Sequence, residues 1–578
     1  MFELFKEEIA RQISALSGVQ TDKVLEAIAP PRLAEHGDFA VAIPRLRLPT
    51  NPAANATDIA GRMQTNDLLT AISCQGPFIN IFINKQRLMQ LTLKQVFETR
   101  ETFGQNKSGE GKKVVVEYSS PNIARPLHAG HLRGTIIGNF VVHALKANGY
   151  ETISMNYLGD WGKQYGLLAV GYQELGLGDD AKLEADPIQH LYDVYTKVNA
   201  AATAELKEAW ASPKAAKSKT IHDRAREYFK RMEDGDAEAL KLWKRFRDLS
   251  IERYKDTYSR LGVNFDVYSG VSQVKEATSR AVEMLVEQNL LEESDDAKIV
   301  NLEKYKLGRA VIVRKDDSPL YLTRDIGAAM ARYEEFQFDK MIYIADSQCG
   351  WHLAQLFKIL ELLGKGDLSK RCQHISYGIV KGTVTRRGAI FLDEILNETR
   401  DSMQSLMREN PETYAQIEHP NRVADIIGMS AVIIQDFGVR RTKDYAFDWR
   451  RNLSFEGDTG PYLQYTHARL CSIERRSGLP IKLDVDLSLL SEPCAIEIVE
   501  CIAQYPDQVR QAAETLEPVN LSSYCFRLCR AISSALNVLN VMYADPDVAQ
   551  ARMLLFWAAR VTLGNALRIL GLQPLERV

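Results

Sequence analysis

The sequence lacks paired cysteine motifs and long apolar runs. Its eight cysteines are scattered without CxxC spacing, which argues against a structural metal site and against a secreted disulfide framework. No apolar run approaches the roughly 20 residues that span a bilayer, so we expect no membrane partner. The first residues mix acidic and basic side chains, unlike a secretory signal or a mitochondrial presequence. These absences predict a soluble protein of a reducing compartment, the cytoplasm, with the mitochondrion as the open alternative.

The sequence also lacks an excess of charge of either sign. The formal net charge is -3 and the isoelectric point is near 6.4, so there is no overall basic field of the kind that attracts nucleic acid. Any contact with RNA must therefore be local. The 578 residues are too many for one ordinary core, and a typical domain size of about 150 residues suggests three or four domains.

Three regions follow one another along the chain. Residues 1–110 alternate helical and strand-like stretches, which predicts a small α+β domain. Residues 111–400 begin with a valine-rich strand, a helix and another strand, the order typical of a doubly wound parallel sheet. This α/β core of Rossmann type carries a polar helical insertion at about 187–261. Residues 401–578 are almost wholly helical and predict an appended bundle.

The most informative motif lies where the first core strand gives way to a helix. His128 and His131 flank Gly130 at this point, beyond the carboxyl end of the strand, where open α/β sheets bind ligands. Gly130 allows a nucleotide to approach the backbone, and the helix N-terminus attracts phosphate. A pair of histidines three residues apart is more often a surface or core pair, but this position favours phosphate binding. Fixed hydrogen-bond donors here would stabilise the charge that develops when a carboxylate attacks ATP.

Around this motif the sequence resembles the class I aminoacyl-tRNA synthetases, in the form typical of arginyl-tRNA synthetases. The resemblance covers the whole chain and looks greatest to fungal cytosolic or mitochondrial members. It implies an ATP-dependent ligase that activates arginine as an adenylate and transfers it to tRNA. The matching stretches are SPN at 120–122 before the histidines, NYLGDWGKQYGLL at 156–168, YLTRDIGAA at 321–329, FEGDTGPYLQYTHARL at 455–470 and GLQPLER at 571–577.

The resemblance also implies a catalytic site with ATP as substrate, accompanied by Mg²⁺. A planar guanidinium suits bidentate acceptance by a carboxylate such as Asp325. A basic loop with Lys381, Arg386 and Arg387 stands where the family's second signature stabilises pyrophosphate, although a basic loop can equally be plain surface. The positions that match ATP-binding residues are His128, Gly130, His131 and His352. Those that match amino-acid-binding residues are Glu117, Asn122, Val271, Tyr321, Asp325, Gln348 and Cys349.

Two regions are expected to hold tRNA. Gln75, Phe78 and Asn80 match residues with which the family's N-terminal domain contacts the D-loop, and an aromatic ring flanked by amides suits an unstacked base. Tyr462 and Tyr465 fall where the family places residues near the anticodon, although they can equally be packing residues. We expect the protein to act as a monomer.

The sequence departs from the family at substrate-facing positions. Val271 replaces a glutamate that faces the guanidinium, and Cys349 occupies the usual place of a glutamine, unless Gln348 substitutes for it. These departures leave three hypotheses. The first is an arginine–tRNA ligase, the second is a paralogue that joins an adenylated amino acid to another amine, and the third is a binding or regulatory protein without catalysis. Retention of the histidine motif and Asp325 argues against the third.

Overall fold

The computed structural model describes residues 1–31, 33–211, 219–294, 297–314, 320–381, 384–385, 388–446 and 453–578. In the N-terminal region, helices pack on a four-stranded antiparallel sheet of order β1-β2-β4-β3. Its elements are α1 Phe2–Ser17, α2 Thr21–Ala27, β1 Ile28–Ala29, β2 Phe39–Ala42, α3 Pro52–Arg62, β3 Leu69–Gln75, β4 Phe78–Ile83 and α4 Lys85–Thr99.

The catalytic core begins with a strand whose three valines are buried on both faces, as parallel sheets covered by helices require. Up to its helical insertion the core contains β5 Lys113–Glu117, α5 Ala129–Ala147, β6 Glu151–Leu158 and α6 Lys163–Ala169. Helix α7 Asp180–Ala185 precedes the insertion, which contains α8 Pro187–Ala211, α9 Ile221–Glu233 and α10 Ala237–Arg260.

After the insertion the chain returns to the sheet and adds a small antiparallel sheet of order β10-β9-β8 beside it. The elements are β7 Val267–Gly270, α11 Lys275–Glu287, β8 Glu292–Ser294, β9 Ala297–Asn301, β10 Arg309–Arg314, α12 Tyr321–Phe336, β11 Lys340–Asp346, α13 Gly350–Leu362, α14 Gly366–Arg371 and β12 Cys372–Tyr377. The main sheet has five parallel strands in the order β12-β11-β5-β6-β7. This is the doubly wound core that the sequence predicts.

The remaining elements link the core to a helical C-terminal region. The short strands are β13 Val380–Lys381, β14 Val384–Thr385 and β15 Gly388–Ala389, followed by α15 Leu392–Arg408, α16 Pro411–Tyr414, α17 Pro420–Phe437, β16 Tyr445–Ala446, α18 Gly460–Ser477, α19 Pro493–Thr515, α20 Pro518–Leu536 and α21 Pro546–Ile569. β13 pairs in parallel with β16, so the end of the core and the helical region are joined by a backbone ladder. One large hydrophobic cluster runs from the N-terminal region through α5 into these helices.

Candidate active site

The strand order places a crevice at the carboxyl ends of β5 and β11. The chain proceeds from β5 in one direction along the sheet and returns on the other side at β11, and open α/β sheets bind ligands at such a switch point. The loop that leaves β5 carries three non-glycine residues in the left-handed region, Ser119 (φ 70°), Ser120 (φ 44°) and Ala124 (φ 60°). Such conformations cost free energy and cluster at functional sites.

The two histidines form a reciprocal cap at the start of α5. The Nδ1 atom of His128 accepts a hydrogen bond from the backbone N–H of Gly130 at 3.1 Å, and the Nδ1 atom of His131 accepts one from the N–H of His128 at 3.2 Å. Their ring centroids lie 3.9 Å apart. The cap starts the helix at Ala129, directly after His128.

Both histidines are held neutral. Burial lowers the pKa of His128, and burial together with the neighbouring His128 lowers the pKa of His131 to about 3. A neutral imidazole carries one proton, and each Nδ1 already accepts, so that proton resides on Nε2. The arrangement therefore supplies two neighbouring Nε2–H donors beside the N-terminus of a helix.

Two carboxylates lie close together at the crevice, each with a basic partner. Glu117, at the end of β5, pairs with Arg332 at 2.6 Å, and Asp325 on α12 lies 2.6 Å from the Nε2 atom of His352. Burial raises the pKa of Glu117 and Asp325 raises it further, while Arg332 opposes both effects. Because Arg332 already compensates Glu117, Asp325 is the better placed of the two to accept an incoming cation. His352, which the resemblance matches to an ATP-binding residue, is thus in contact with Asp325, which it matches to an amino-acid-binding residue.

Asn122 and Tyr321 line one cavity of about 230 Å³, together with Gln164, Tyr165 and Tyr195. Asn122 forms a parallel bridge with Gly159, where an added Cβ atom would lie 1.9 Å from the Asn122 Oδ1 atom. Glycine at 159 is thus required for this position of the amide. Asn122 and Tyr321, which the resemblance matches to amino-acid-binding residues, therefore line the same cavity.

Val271 lies elsewhere. It follows β7 directly and lines a larger cavity of about 700 Å³ with Trp161, Trp243 and Arg324. Asn122, Tyr321 and Asp325 do not line this cavity, although Arg324 precedes Asp325 on the same helix. The lining of this cavity carries charges of both signs, with Glu233, Asp248 and Glu283 as well as basic side chains.

Gln348 and Cys349 form a single turn at the carboxyl end of β11. The side chain of Asp346 caps this turn by accepting from the backbone N–H groups of Gln348 at 2.8 Å and Cys349 at 3.3 Å. Burial, with Asp346 beside it, raises the pKa of the Cys349 thiol to about 11. The thiol is accordingly protonated at neutral pH, and the exposed Gln348 amide remains accessible to a ligand.

The basic loop begins at Lys381, whose exposed ammonium group lies 3.6 Å from Asp444. Arg386 and Arg387 fall outside the described residues. The far end of this loop returns to the histidine motif, because the N–H of Ala129 donates to the carbonyl of Ile390 at 3.0 Å. The loop is therefore anchored beside the helix cap.

The residues expected to contact tRNA differ in exposure. Gln75 and Phe78 flank the turn between β3 and β4 and are exposed, whereas Asn80 is 4% exposed. In the helical region, the Tyr462 hydroxyl lies 3.0 Å from Ser533, and the exposed Tyr465 packs against Phe455. Phe78 and Tyr465 can reach a partner directly, and Asn80 cannot without a rearrangement.

Sequence reasoning missed Arg332 and Asp346. A signal existed for Arg332, since it follows Asp325 by seven residues and therefore lies on the same helix face two turns later. Asp346 ends a buried strand at the switch point, a position that by itself suggests a site residue. Arg332 pairs with Glu117, and Asp346 caps the turn of Gln348 and Cys349, so both position residues that the sequence predicts for the site.

Two further searches covered the described part of the chain only. It contains no group of three or more histidine, cysteine or acidic residues able to hold a metal ion. None of its helices combines the length and the apolar character needed to cross a membrane.

Family comparisons match three successive parts of this chain. The arginyl tRNA synthetase N-terminal domain matches residues 3–83, the catalytic domain of class I (R) tRNA synthetases matches residues 92–449, and the DALR anticodon binding domain matches residues 463–578. These matches follow the order of the three structural regions.

Individual relatives match along their full length or nearly so. The chain is 49% identical to a probable cytoplasmic arginine–tRNA ligase of Dictyostelium discoideum, with all of both chains covered. It is 46% identical to the cytoplasmic ligase of Saccharomyces cerevisiae and 42% identical to the mitochondrial ligase, covering all of this chain and 95% and 89% of the relatives. The arginyl-tRNA synthetase structure of Thermus thermophilus superposes with a TM-score of 0.79 over all of both chains, and its 20% identity supports the fold alone.

Proposed function

This chain belongs to the arginyl-tRNA synthetase family of class I synthetases, and from that premise we propose which residues carry the reaction. Its activity is the ATP-dependent ligation of arginine to tRNA. The relatives support this activity and not the two alternatives, a ligase for another amine or a non-catalytic paralogue. The cytoplasmic location expected from the sequence agrees with the names of the Dictyostelium and yeast cytoplasmic relatives.

The observation that carries the proposal is the pair of neutral histidines at the start of α5. His128 and His131 donate from Nε2–H to oxygens of ATP, where charge develops as the arginine carboxylate attacks the α-phosphate. Gly130 lets the nucleotide approach the helix N-terminus. Support comes from the two Nδ1 atoms, which are both engaged as acceptors by the backbone and so fix the direction of both donors.

Arginine lies, in this proposal, between Asp325 and the cavity shared by Asn122 and Tyr321. Asp325 accepts the guanidinium, with His352 bonded to its Oδ2 atom and orienting it. The Asn122 side chain, in the wall of this cavity, binds the α-amino group of arginine. Glu117 acts through Arg332, and Gln348 is a better candidate for a substrate contact than the protonated Cys349.

Pyrophosphate leaves towards the basic loop. Lys381 supports this role because its ammonium group is exposed and only loosely paired with Asp444. Arg386 and Arg387 are proposed to join it, on sequence grounds alone. Mg²⁺ enters with ATP as part of the substrate and compensates the charge of its phosphates.

For tRNA, we propose that Gln75 and Phe78 contact the D-loop and that Tyr462 and Tyr465 lie near the anticodon. The domains are 1–110, 111–400 and 401–578, with the insertion at about 187–261, and the protein acts as a monomer. Asn80, which the resemblance also matches to a D-loop contact, is buried and would reach RNA only after a rearrangement of the hairpin.

ATP–pyrophosphate exchange tests the proposal. Purified protein is assayed with each amino acid in turn, with and without total tRNA, and charging of tRNA is followed in parallel. We expect exchange with arginine that depends on tRNA, as the resemblance implies, and formation of arginyl-tRNA. Exchange with another amino acid, or arginine-dependent consumption of ATP that ignores tRNA, would contradict it.

A further inference from the structure

Arg133 is completely buried and makes an unusual set of contacts. It lies on α5, two residues after His131. Its Nη1 group donates to the carbonyl oxygens of Gly378 at 2.7 Å and Lys443 at 2.8 Å, and its Nη2 group donates to the carbonyl oxygen of Arg440 at 3.4 Å. Three backbone carbonyls from two distant segments therefore converge on one guanidinium.

A buried acid completes this cluster. The Nε atom of Arg133 lies 3.2 Å from the Asp436 carboxylate, which is 2% exposed at the end of α17, and the guanidinium lies 5.0 Å from the centre of the Tyr445 ring. Arginine is suited to such a site, because its planar fork is always charged and donates in several fixed directions at once. A lysine keeps the charge, but its N–H donors all belong to a single nitrogen.

Arg133 contacts two segments. Residues 378–381 form the base of the basic loop, and residues 440–446 pair with that base. Gly378 begins the approach to β13, which ends at Lys381. The N–H of Gly378 donates to the carbonyl oxygen of Arg441 at 2.8 Å, and the N–H of Ile379 donates to Asp444 at 2.8 Å. A Cβ atom at position 378 would lie 2.6 Å from the backbone of Lys443, so the segments touch closely.

We propose that Arg133 is a positioning residue for the ligase reaction: it fixes the base of the Lys381 loop relative to His131, through the segment 440–446 that follows α17. Adenylate formation needs the histidine donors on one side of the phosphates and the loop cations on the other, and Arg133 contacts the supports of both. The position of the loop then depends on how the helical C-terminal region packs against the core. This inference rests on the proposed function of the two groups.

The test compares Arg133→Lys with a matched control, Arg260→Lys. Arg260 also pairs with α17, donating to Asp425 at 2.7 Å, but it does not contact residues 378–381 or 440–446. Three quantities are measured: kcat and KM for arginine in tRNA-dependent pyrophosphate exchange, the Kd for tRNA, and the rate of tryptic cleavage after Lys381 in the protein without substrates.

For Arg133→Lys we expect kcat to fall at least tenfold, KM and the tRNA Kd to stay within twofold, and cleavage after Lys381 to accelerate at least fivefold. Arg260→Lys should leave kcat and cleavage within twofold. A folded Arg133→Lys protein with unchanged kcat and cleavage overturns the inference, as does an equal loss in Arg260→Lys, which would indicate general docking of α17.

Gly378→Ala decides the matter if Arg133→Lys does not fold. Its added methyl group would lie 2.6 Å from the backbone of Lys443 and 2.8 Å from Asp444, so it separates residue 378 from the segment 440–446 while Arg133 itself is kept. We expect the same fall in kcat and the same faster cleavage, and wild-type values for both would overturn the inference. If the wild-type protein shows no arginine-dependent exchange, the proposed function fails, while the cleavage rates still decide whether Arg133 positions the loop.

Discussion

At the scale of single residues, the two histidines use one ring nitrogen for the backbone, and the other is the one proposed to contact ATP. The Nδ1 atoms accept from N–H groups at the helix start, and burial favours the neutral rings. Burial thus fixes the charge of the two rings, and the hydrogen bonds at Nδ1 fix the direction of their donors. A histidine that titrated near neutral pH would vary in both respects.

Replacement of His128 by asparagine separates these two roles. Asparagine is a good N-cap residue and can accept from the Gly130 N–H, but it has no Nε2–H donor. We expect His128→Asn to keep the melting temperature within about 1 °C, which for a chain of this length corresponds to roughly 1 kcal/mol, and to lower kcat for exchange by about 10²–10³. His143→Asn, near the other end of α5, should leave kcat unchanged. A rate within threefold of wild type for His128→Asn would show that the ring does not contact ATP.

Val271 offers a second residue-scale test. If the resemblance correctly sets position 271 opposite the guanidinium, Val271→Glu supplies a charge partner and should lower KM for arginine at least tenfold, or about 1.4 kcal/mol. Val271→Gln, of the same shape without charge, is the control. The cavity around Val271 also contains Arg324. If the new carboxylate pairs with that side chain, KM for arginine will not fall, and the placement of Val271 in the arginine site is wrong.

At the scale of elements, the β3–β4 hairpin presents an aromatic ring at its turn while the alternating isoleucines of β4 fill the core. Ile79, Ile81 and Ile83 are buried, whereas Phe78 is 42% exposed beside Gly76 and Pro77. A large ring left exposed at a tight turn gains little for folding. It is available for stacking on a base.

Phe78→Ala should therefore weaken tRNA binding without destabilising the fold. One base stacked on an aromatic ring contributes about 1–3 kcal/mol, so KM for tRNA should rise by roughly ten- to a hundredfold. Leu4→Ala, which removes a side chain 44% exposed on α1 of the same region, should leave KM unchanged. Steady-state charging at varied tRNA concentration measures KM for both variants. Equal KM values for tRNA would show that Phe78 does not contact tRNA.

His467 makes the packing of α18 against the C-terminal residues dependent on pH. Its Nδ1 atom lies 2.8 Å from the carbonyl oxygen of Leu575, and burial lowers its pKa to about 4. Below about pH 6.5 the His467 imidazole is protonated in the unfolded chain, whereas in the folded chain it stays neutral until about pH 4. The contribution of this group to the free energy of unfolding is therefore complete above about pH 6.5 and is lost as the pH falls towards 4.

The expected loss from His467 is about 2 kcal/mol at pH 5 relative to pH 7. His467→Gln can still donate to Leu575 and does not titrate. Urea unfolding at several pH values, followed by helical circular dichroism, compares the two proteins. Wild type should lose stability faster with acid than His467→Gln, and parallel curves would refute the assignment.

At the scale of the whole molecule, the N-terminal region is held against the C-terminal helices by charge as well as by the shared core. Lys85, at the start of α4, bonds both Asp38 of its own region and Glu500 on α19, and Arg510 pairs with Glu3 at 2.9 Å. These contacts fix the distance between the two surfaces proposed to hold tRNA.

Lys85→Met should loosen this junction. It leaves two carboxylates without their shared cation, and because all three groups are partly exposed we expect a loss of about 1–3 kcal/mol, below the value for a fully buried pair. Lys94→Met removes an exposed pair with Glu98 on the same helix and is the control. Differential scanning calorimetry and KM for tRNA are the measurements. Identical behaviour of the two variants would contradict a structural role for the Lys85 junction.

The sequence by itself determined the family, the doubly wound core and the activity. The core depends on local patterns, a valine-rich strand followed by a helix and another strand, whereas the family and the activity follow from the resemblance of motif stretches such as NYLGDWGKQYGLL at 156–168. Spacing could place Arg332 on the same helix face as Asp325, seven residues earlier, but it could not identify its partner Glu117.

Only the tertiary structure decided which charges compensate one another and which predicted residues share a cavity. Arg332 reaches Glu117 across more than 200 residues of chain, Arg133 reaches Lys443 across 310, and Val271 lies in a cavity separate from that of Asn122. Spacing carries no information about such contacts, because they are set by how strands order in the sheet and how the helical region packs against it. Burial then selects the charge states, since the cost of a buried charge depends on neighbours that arrive from distant parts of the chain.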